Sequence, residues 1–164
     1  MFKRLLTTRS LCMSAIIAAL YAVLTLVLAP ISYGNLQCRV SEAMTLLPLI
    51  MPASIPGLFI GCVIANLYTG SVLDIIFGSL ATLLAAVGTY ALRDRRVKGF
   101  PLLSVLCPVV ANGVIVGTVL TVSYGLPLLL TMLEVAVGEV GAVIIGVIVL
   151  GALKKSGFDF KKLS

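Results

Sequence analysis

The sequence predicts an all-α polytopic membrane protein: a compact bundle of six transmembrane helices in a single domain (residues 1–164), with both termini in the cytoplasm. Three observations lead to this fold class. Of the 164 residues, 60% are apolar and 11% are charged, and the mean hydropathy is +1.20. A soluble domain is roughly 45–50% apolar and about 25% charged. The length suits about six crossings of about 20 residues with short loops, and the basic residues are grouped.

Eleven of the twelve basic residues lie in three clusters beside apolar segments. The clusters are Lys3, Arg4 and Arg9; Arg93, Arg95, Arg96 and Lys98; and Lys154, Lys155, Lys161 and Lys162. Such juxtamembrane clusters are typical of the cytoplasmic side, where they attract anionic membrane lipid rather than nucleic acid. We therefore expect all three in the cytoplasm, with an even number of crossings between each pair.

The first half of the chain is expected to hold four helices. An uncharged run of 19 residues predicts helix one at 11–29, retained as a span rather than cleaved as a signal peptide. Residues 31–92 must then cross an odd number of times, and three crossings use the apolar residues better than one. Pro48, Pro52 and Pro56 interrupt this stretch. We therefore expect a loop at 30–38, then helices two, three and four at 40–53, 55–70 and 72–92, the first two of them short for a bilayer.

The second half is simpler. Helix five is expected at 101–123 and helix six at 128–153, with the turn sequence Y-G-L-P between them and a basic tail after them. Small residues recur at helical spacing and are expected to let helices pack closely within the bundle. They include Ala81 and Ala85; Gly113 and Gly117; and Gly138, Ala142 and Gly146. On helix one, the stripe could instead contact a partner protein: Ala15, Ala18, Ala19 and Ala22.

Composition excludes several function classes. The chain has no histidine, the usual acid–base group and the commonest metal ligand, and no G-x-x-x-x-G-K-[ST] phosphate loop. Its four cysteines are single, without a C-x-x-C pair. We therefore expect no metal, no cofactor, no ATP hydrolysis by this chain and no enzymatic activity.

Five ionised side chains lie outside the basic clusters: Arg39, Glu42, Asp74, Glu134 and Glu139. Charges at membrane depth are costly, so each is a functional candidate. On the expected topology all five, together with Asn66, fall in the outer half of the membrane. A carrier of protons would need polar groups through the whole depth, so the pattern favours an outward-facing binding pocket.

The pocket would be rich in carboxylates, which suits a cation or a ligand with several N–H donors. Tyr33 and Tyr68 lie where an aromatic ring could stack on a planar ligand, or they could be interfacial belt residues. Other simple explanations remain open. Arg39 and Glu42 could neutralise each other, Asp74 could cap helix four, and Glu134 could be solvated.

Five motifs resemble the QueT family of substrate-binding subunits (S-components) of energy-coupling factor (ECF) transporters. They are I-S-Y-G-N-L-Q-C-R-V-S-E (31–42), G-C-V-I-A-N (61–66), F-G-S-L-A-T (77–82), G-L-P (125–127) and V-G-E (137–139). The resemblance implies a substrate-binding subunit in the bacterial cell membrane. Its partner would be a module of a transmembrane coupling protein and two ATPases.

The resemblance also implies a ligand and its site. The ligand would be queuosine, queuine or a related 7-deazaguanine such as preQ1, with the 30–38 loop as an outer gate. The implied pocket residues are Gln37, Arg39, Glu42, Asn66, Asp74 and Glu139, and the helix-one alanines would dock the module. An S-component for riboflavin, biotin or thiamine stays an alternative, as does a small membrane enzyme or structural subunit.

Overall fold

The computed structural model describes residues 7–32 and 39–156 of the chain. Helices form nearly all of this part, and its β-type pairing is an isolated bridge between Val97 and Phe100. In chain order the helices are α1 (Thr8–Val27), α2 (Val40–Leu49), α3 (Ser54–Leu67), α4 (Asp74–Ala91), α5 (Leu102–Tyr124) and α6 (Leu128–Lys155). A single helical turn, Ala29–Ser32, follows α1. The six helices correspond in order to the six predicted ones.

Four of the helices, α1, α4, α5 and α6, are long and apolar enough to cross a membrane. The other two are shorter, with 10 residues in α2 and 14 in α3. The prediction of two short helices is confirmed, although both end earlier than expected. The chain turns after Leu49, in the proline-containing segment before α3, and again after Leu67, before the left-handed Gly70 (φ +68°). The protein is therefore a multi-pass helical membrane protein.

Helix α2 is a 3₁₀-helix, a form that the sequence analysis did not anticipate. Its residues rise about 2.0 Å each, so ten residues extend about 20 Å, where an α-helix would extend about 15 Å. Pro48 lies inside it, where the absent N–H favours an irregular helix. The stretched form lets a short segment pass through most of the bundle, although 3₁₀ runs of this length are uncommon.

Helices α1 and α3 pack in very close contact through two glycines of α3. A Cβ atom at Gly57 would lie 2.4 Å from the backbone oxygen of Ser14, and one at Gly61 would lie 2.7 Å from that of Ala18. Glycine at this four-residue spacing lets two helix backbones approach in lipid. Ala18 is itself buried in the contact, and Ala22, one turn further, is equally buried.

Two other small-residue stripes serve packing within the bundle, as predicted. Gly113 and Gly117 of α5 face α6, where a Cβ at Gly117 would lie 2.7 Å from the Cα atom of Met132. On another side α6 packs on α2, and a Cβ at Gly146 would lie 2.5 Å from the backbone oxygen of Ala43. The first contact joins α5 to α6, and the second joins α6 to α2.

One end of the bundle, called here the basic end, gathers side chains from two of the basic clusters. They line one surface cleft: Arg93, Arg96 and Lys154. Ser14 donates to the backbone oxygen of Ala53 at 2.6 Å, next to the end of α2, so Arg9 lies towards this end as well. Because α2 ends and α3 begins here, consecutive helices pass through the bundle in alternating directions.

Burial in the bundle differs from that of a soluble protein, because polar side chains are buried beside the apolar core and many large apolar side chains are exposed. Thr25, Ser41 and Thr82 are at most 1% exposed, whereas Ile16 and Ile148 on long helices are 55% and 64% exposed. Backbone and side-chain polar groups must be satisfied inside a protein that is surrounded by lipid, and lipid solvates the outer apolar faces. The polar interior is where a site can form.

Candidate functional site

A polar cavity lies between α2, α5 and α6, away from the basic end. Its lining residues are Arg39, Glu42, Asn112, Val116, Val135 and Glu139. Three of these were predicted as pocket residues from the sequence, and the fold brings them together from two distant segments. The cavity measures about 10 Å³, which is about the space that a single water molecule needs.

Glu42 is 1% exposed and lies in the first turn of α2. Its Oε1 atom accepts hydrogen bonds from the Tyr21 hydroxyl of α1 and from Thr82 Oγ1 of α4, the latter at 2.8 Å. Its Oε2 atom is buried and has no hydrogen-bond donor among the described residues. One carboxylate oxygen is thus held in place by two helices, and the other is left available.

Glu139 lies opposite on α6 and is 4% exposed. Its Oε1 atom accepts a hydrogen bond from the side-chain amide of Asn112 on α5. Neither Glu139 Oε2 nor Asn112 Oδ1 has a hydrogen-bond partner within the part of the chain described. Glu139 therefore resembles Glu42: one carboxylate oxygen accepts a hydrogen bond, and the other is buried without a donor among the described residues.

Arg39 forms an ion pair with Asp74 of α4, with 4.0 Å between Nη2 and Oδ1, and both side chains are buried. The sequence left open an ion pair between Arg39 and Glu42, which are three residues apart. The ion pair observed is instead between Arg39 and Asp74. The start of α4 is capped by Ser71, whose Oγ accepts from the backbone N–H of Asp74 at 3.3 Å. The Asp74 carboxylate is therefore used for the arginine.

Asn66, at the end of α3, is fully buried and holds the first turn of α4. Its side-chain amide donates to the backbone oxygen of Asp74 at 2.9 Å, and Asn66 Oδ1 has no partner in residues 7–32 and 39–156. That turn, Asp74–Gly78, is a wide π-type turn, a form found frequently at functional sites. A Cβ at Gly78 would lie 2.9 Å from the Asn66 amide nitrogen, so the small residue makes room for this contact.

The remaining predicted residues lie elsewhere. Tyr68 is 69% exposed and Glu134 is half-buried, and neither lines the cavity. Tyr33 and Gln37 lie outside the described residues, as does most of the predicted 30–38 loop. Of the expected docking alanines, Ala15 and Ala19 are exposed, whereas Ala18 and Ala22 are buried inside the chain.

Sequence reasoning missed Tyr21, Asn112 and the role of Thr82. Asn112 could have been found, because it is the one side-chain amide in the long apolar helix α5. Tyr21 carries no such signal, since a tyrosine in an apolar helix is common and its partner is 21 residues away. Thr82 lies in a quoted motif, but its bond to Glu42 depends on the packing of α4 against α2.

The chemistry of the site follows from its unmatched atoms. On the cavity wall, three buried oxygen acceptors lack a hydrogen-bond donor within the described residues: Glu42 Oε2, Glu139 Oε2 and Asn112 Oδ1. An unsatisfied buried polar group costs about 1–3 kcal/mol, and more when it is charged. Native proteins rarely keep such groups without a reason. A ligand that presents several N–H donors would satisfy them.

Comparison with known proteins identifies the family of the chain. The profile of the QueT transporter family matches residues 11–155, which include every helix that lines the cavity. A curated relative, "Queuosine precursor transporter QueT" of Lactococcus lactis subsp. cremoris (strain MG1363), is 42% identical over 71 residues, a segment that spans 42% of this chain and 42% of the relative. No solved structure matches the chain significantly. The family match covers most of the sequence, and the chain therefore belongs to the QueT transporter family.

Proposed function

We propose that this chain is the substrate-binding subunit of an ECF-type importer and that its polar cavity binds a 7-deazaguanine such as queuine, preQ1 or queuosine. The observation that carries the proposal is the set of buried acceptors around Glu42 and Glu139 that have no donor in residues 7–32 and 39–156. The name of the Lactococcus relative, a queuosine precursor transporter, supports the same ligand class.

The hydrogen-bonding edge of a deazaguanine complements these acceptors. A guanine-like ring presents an N1–H and an exocyclic amine as parallel donors, and a carboxylate accepts two such bonds well. The precursor's side-chain amine supplies a further donor for the second glutamate. Arg39, which pairs with Asp74, would donate to the ring carbonyl.

Ligand entry requires a change in the site. A small-molecule pocket usually measures about 300–1,000 Å³, whereas the cavity measures about 10 Å³. The side chains of α2, α5 and α6 must therefore move apart for binding. Hydrogen bonds from the ligand to the buried acceptors would offset the cost of this movement, because they remove the penalty of leaving those acceptors unbonded.

The coupling to ATP hydrolysis belongs to a separate module in this proposal. The chain has no phosphate loop, so its partners would be a transmembrane coupling protein and two ATPases. Ala15 and Ala19 lie one turn apart on α1 and are exposed, so these two alanines of the stripe could contact the module. The proposal includes six crossings with the basic end in the cytoplasm, which the alternating helices and the positive-inside rule support.

The test is direct binding by the detergent-purified chain alone, titrated with queuine, preQ1, queuosine, guanine and riboflavin. We expect tight binding of at least one deazaguanine and none of riboflavin, because a substrate-binding subunit acts without its ATPases. Binding of riboflavin, biotin or thiamine instead would assign another vitamin. Recovery of the bound molecule in a chemically altered form would contradict a transport role and indicate an enzyme.

A further inference from the structure

A second cleft lies at the basic end of the bundle, far along α2 from the polar cavity. It measures about 460 Å³, within the range of ligand sites, and is bounded by α2, the segment after α4, α5 and α6. Its walls are largely apolar and include Leu46, Ile50, Val105 and Val147. A Cβ atom at Gly151, also on the wall, would meet no atom within 4 Å, so this side of the cleft is open.

Three cationic side chains surround this apolar space: Arg93, Arg96 and Lys154. None of the acidic residues that the structure describes lines it. The Arg93 guanidinium lies 3.8 Å from the ring centre of Tyr90 and 3.6 Å from the Asp94 carboxylate. Asp94 is 87% exposed, so this ion pair neutralises little of the charge. Within the described ranges neither Arg96 nor Lys154 forms a salt bridge. The cleft therefore combines apolar walls with a net positive rim.

A rigid turn shapes one side of that rim. Val97 and Phe100 exchange two backbone hydrogen bonds of 2.9 and 3.1 Å around Lys98 (φ 51°) and Gly99 (φ 82°). Positive φ at both central residues is the geometry of a type I′ turn, which is unusual for a lysine. The positive φ of Lys98 is a strained backbone conformation, and such a conformation persists only where the surrounding structure holds it. Here the turn places Phe100 on the cleft wall beside Arg96.

We propose that this cleft binds one anionic phospholipid, with an acyl chain along the apolar walls and the headgroup phosphate between Arg93, Arg96 and Lys154. The rim charge distinguishes an anionic from a zwitterionic lipid. The apolar walls distinguish a lipid from a free anion, which would gain nothing from them. The site is separate from the substrate cavity, so the proposal does not depend on the identity of the transported ligand.

Native mass spectrometry from a neutral detergent tests the proposal on the full chain. The probes are phosphatidylglycerol, phosphatidylcholine of the same chain length, and glycerol 3-phosphate. We expect one phosphatidylglycerol to be retained at least tenfold more tightly than phosphatidylcholine, and glycerol 3-phosphate not to compete. Equal retention of both lipids would overturn the proposal, and so would competition by glycerol 3-phosphate, which would indicate a simple anion site.

A pair of double variants separates the cleft from general surface charge. Arg96→Gln with Lys154→Gln removes two rim charges, whereas Arg95→Gln with Lys155→Gln removes two neighbouring charges that do not line the cleft. The first should weaken phosphatidylglycerol binding about 30-fold, since each basic residue near an anionic headgroup contributes about a factor of five. The second should change it less than threefold. Equal losses in both would show diffuse attraction only and overturn the site.

Filling the cleft gives an independent check. Gly151→Phe should abolish the preference for phosphatidylglycerol while leaving the melting temperature within a few degrees, because the new side chain enters open space. Unchanged lipid binding in a folded Gly151→Phe variant would contradict the proposed position.

Deletion of residues 157–164 should not increase lipid binding. A several-fold increase would identify the chain's own end as the occupant and overturn the assignment.

Discussion

At the scale of single residues, the polar cavity is defined by oxygen acceptors that find no donor among the residues the structure describes. Glu42 and Glu139 each fix one oxygen with donors from neighbouring helices and keep the other buried without a donor among the described residues. Removing water from such atoms is unfavourable unless a partner replaces it. The unliganded site is therefore less stable than a fully bonded one, and ligand binding restores the missing bonds.

Replacing either carboxylate by an amide tests this directly. Glu42→Gln and Glu139→Gln should each weaken deazaguanine binding at least tenfold, about 1.4 kcal/mol, because an amide carries one acceptor and no charge. Isothermal titration of the purified variants measures the change. Glu134→Gln is the matched control, since Glu134 is on the same helix as Glu139 but does not line the cavity. Unchanged affinity in both cavity variants would rule out the carboxylates as ligand groups.

Tyr21 holds Glu42 through a hydrogen bond and does not line the cavity. Tyr21→Phe should lower the free energy of unfolding by about 1.5–3 kcal/mol, because it removes a buried hydrogen bond to a charged group. The melting temperature of the purified protein reports this loss. Tyr124→Phe, at a position 71% exposed, should have no effect. Equal melting temperatures for the two variants would show that the Tyr21 bond contributes nothing.

At the scale of helices, close backbone contacts hold the site walls in register. Helix α3 carries Asn66 at one end and the two glycines that contact α1 along its length. Helix α1 in turn carries Tyr21, so the α1–α3 contact and the Glu42 anchor are parts of one assembly. Displacement of α1 from α3 would therefore move the donor that fixes Glu42.

The close packing of α1 against α3 can be tested by adding one methyl group to α3. Gly57→Ala places a Cβ 2.4 Å from the Ser14 backbone oxygen, and overpacking of this kind costs typically about 1–3 kcal/mol. We expect a lower melting temperature. Gly151→Ala makes the same change in a helix where a Cβ meets nothing within 4 Å, and it should be neutral or stabilising. A Gly57→Ala protein as stable as Gly151→Ala would contradict the packing described.

The exposed alanines of α1 make a separate prediction about partners. Ala19→Leu should leave deazaguanine binding unchanged but prevent co-purification with the ECF module, because added bulk blocks a close helix contact. Ala91→Leu, another exposed alanine at a helix end, is the control and should co-purify normally. Normal co-purification of the Ala19→Leu protein would refute the docking role of this face.

At the scale of the whole molecule, the order of the helices could be predicted from the sequence, and so could the separation of Glu42 and Glu139 from the basic end. Charges in an apolar chain are a local signal, so Arg39, Glu42 and Glu139 could be selected before any contact was known. The Arg39–Asp74 pair could not, because it depends on how non-adjacent helices pack. The 3₁₀ form of α2 was not predicted either: Pro48 indicated an irregular helix, but 3₁₀ runs of ten residues are uncommon.

The most direct measurement compares two ligands that differ by one donor group. The purified chain is titrated with the 7-deazaguanine that it binds best and with the same ring system lacking the exocyclic amine. If the unmatched acceptors recognise N–H donors, loss of that amine leaves a buried carboxylate oxygen unbonded and weakens binding at least tenfold. Equal affinity for the two ligands would contradict recognition through Glu42 and Glu139.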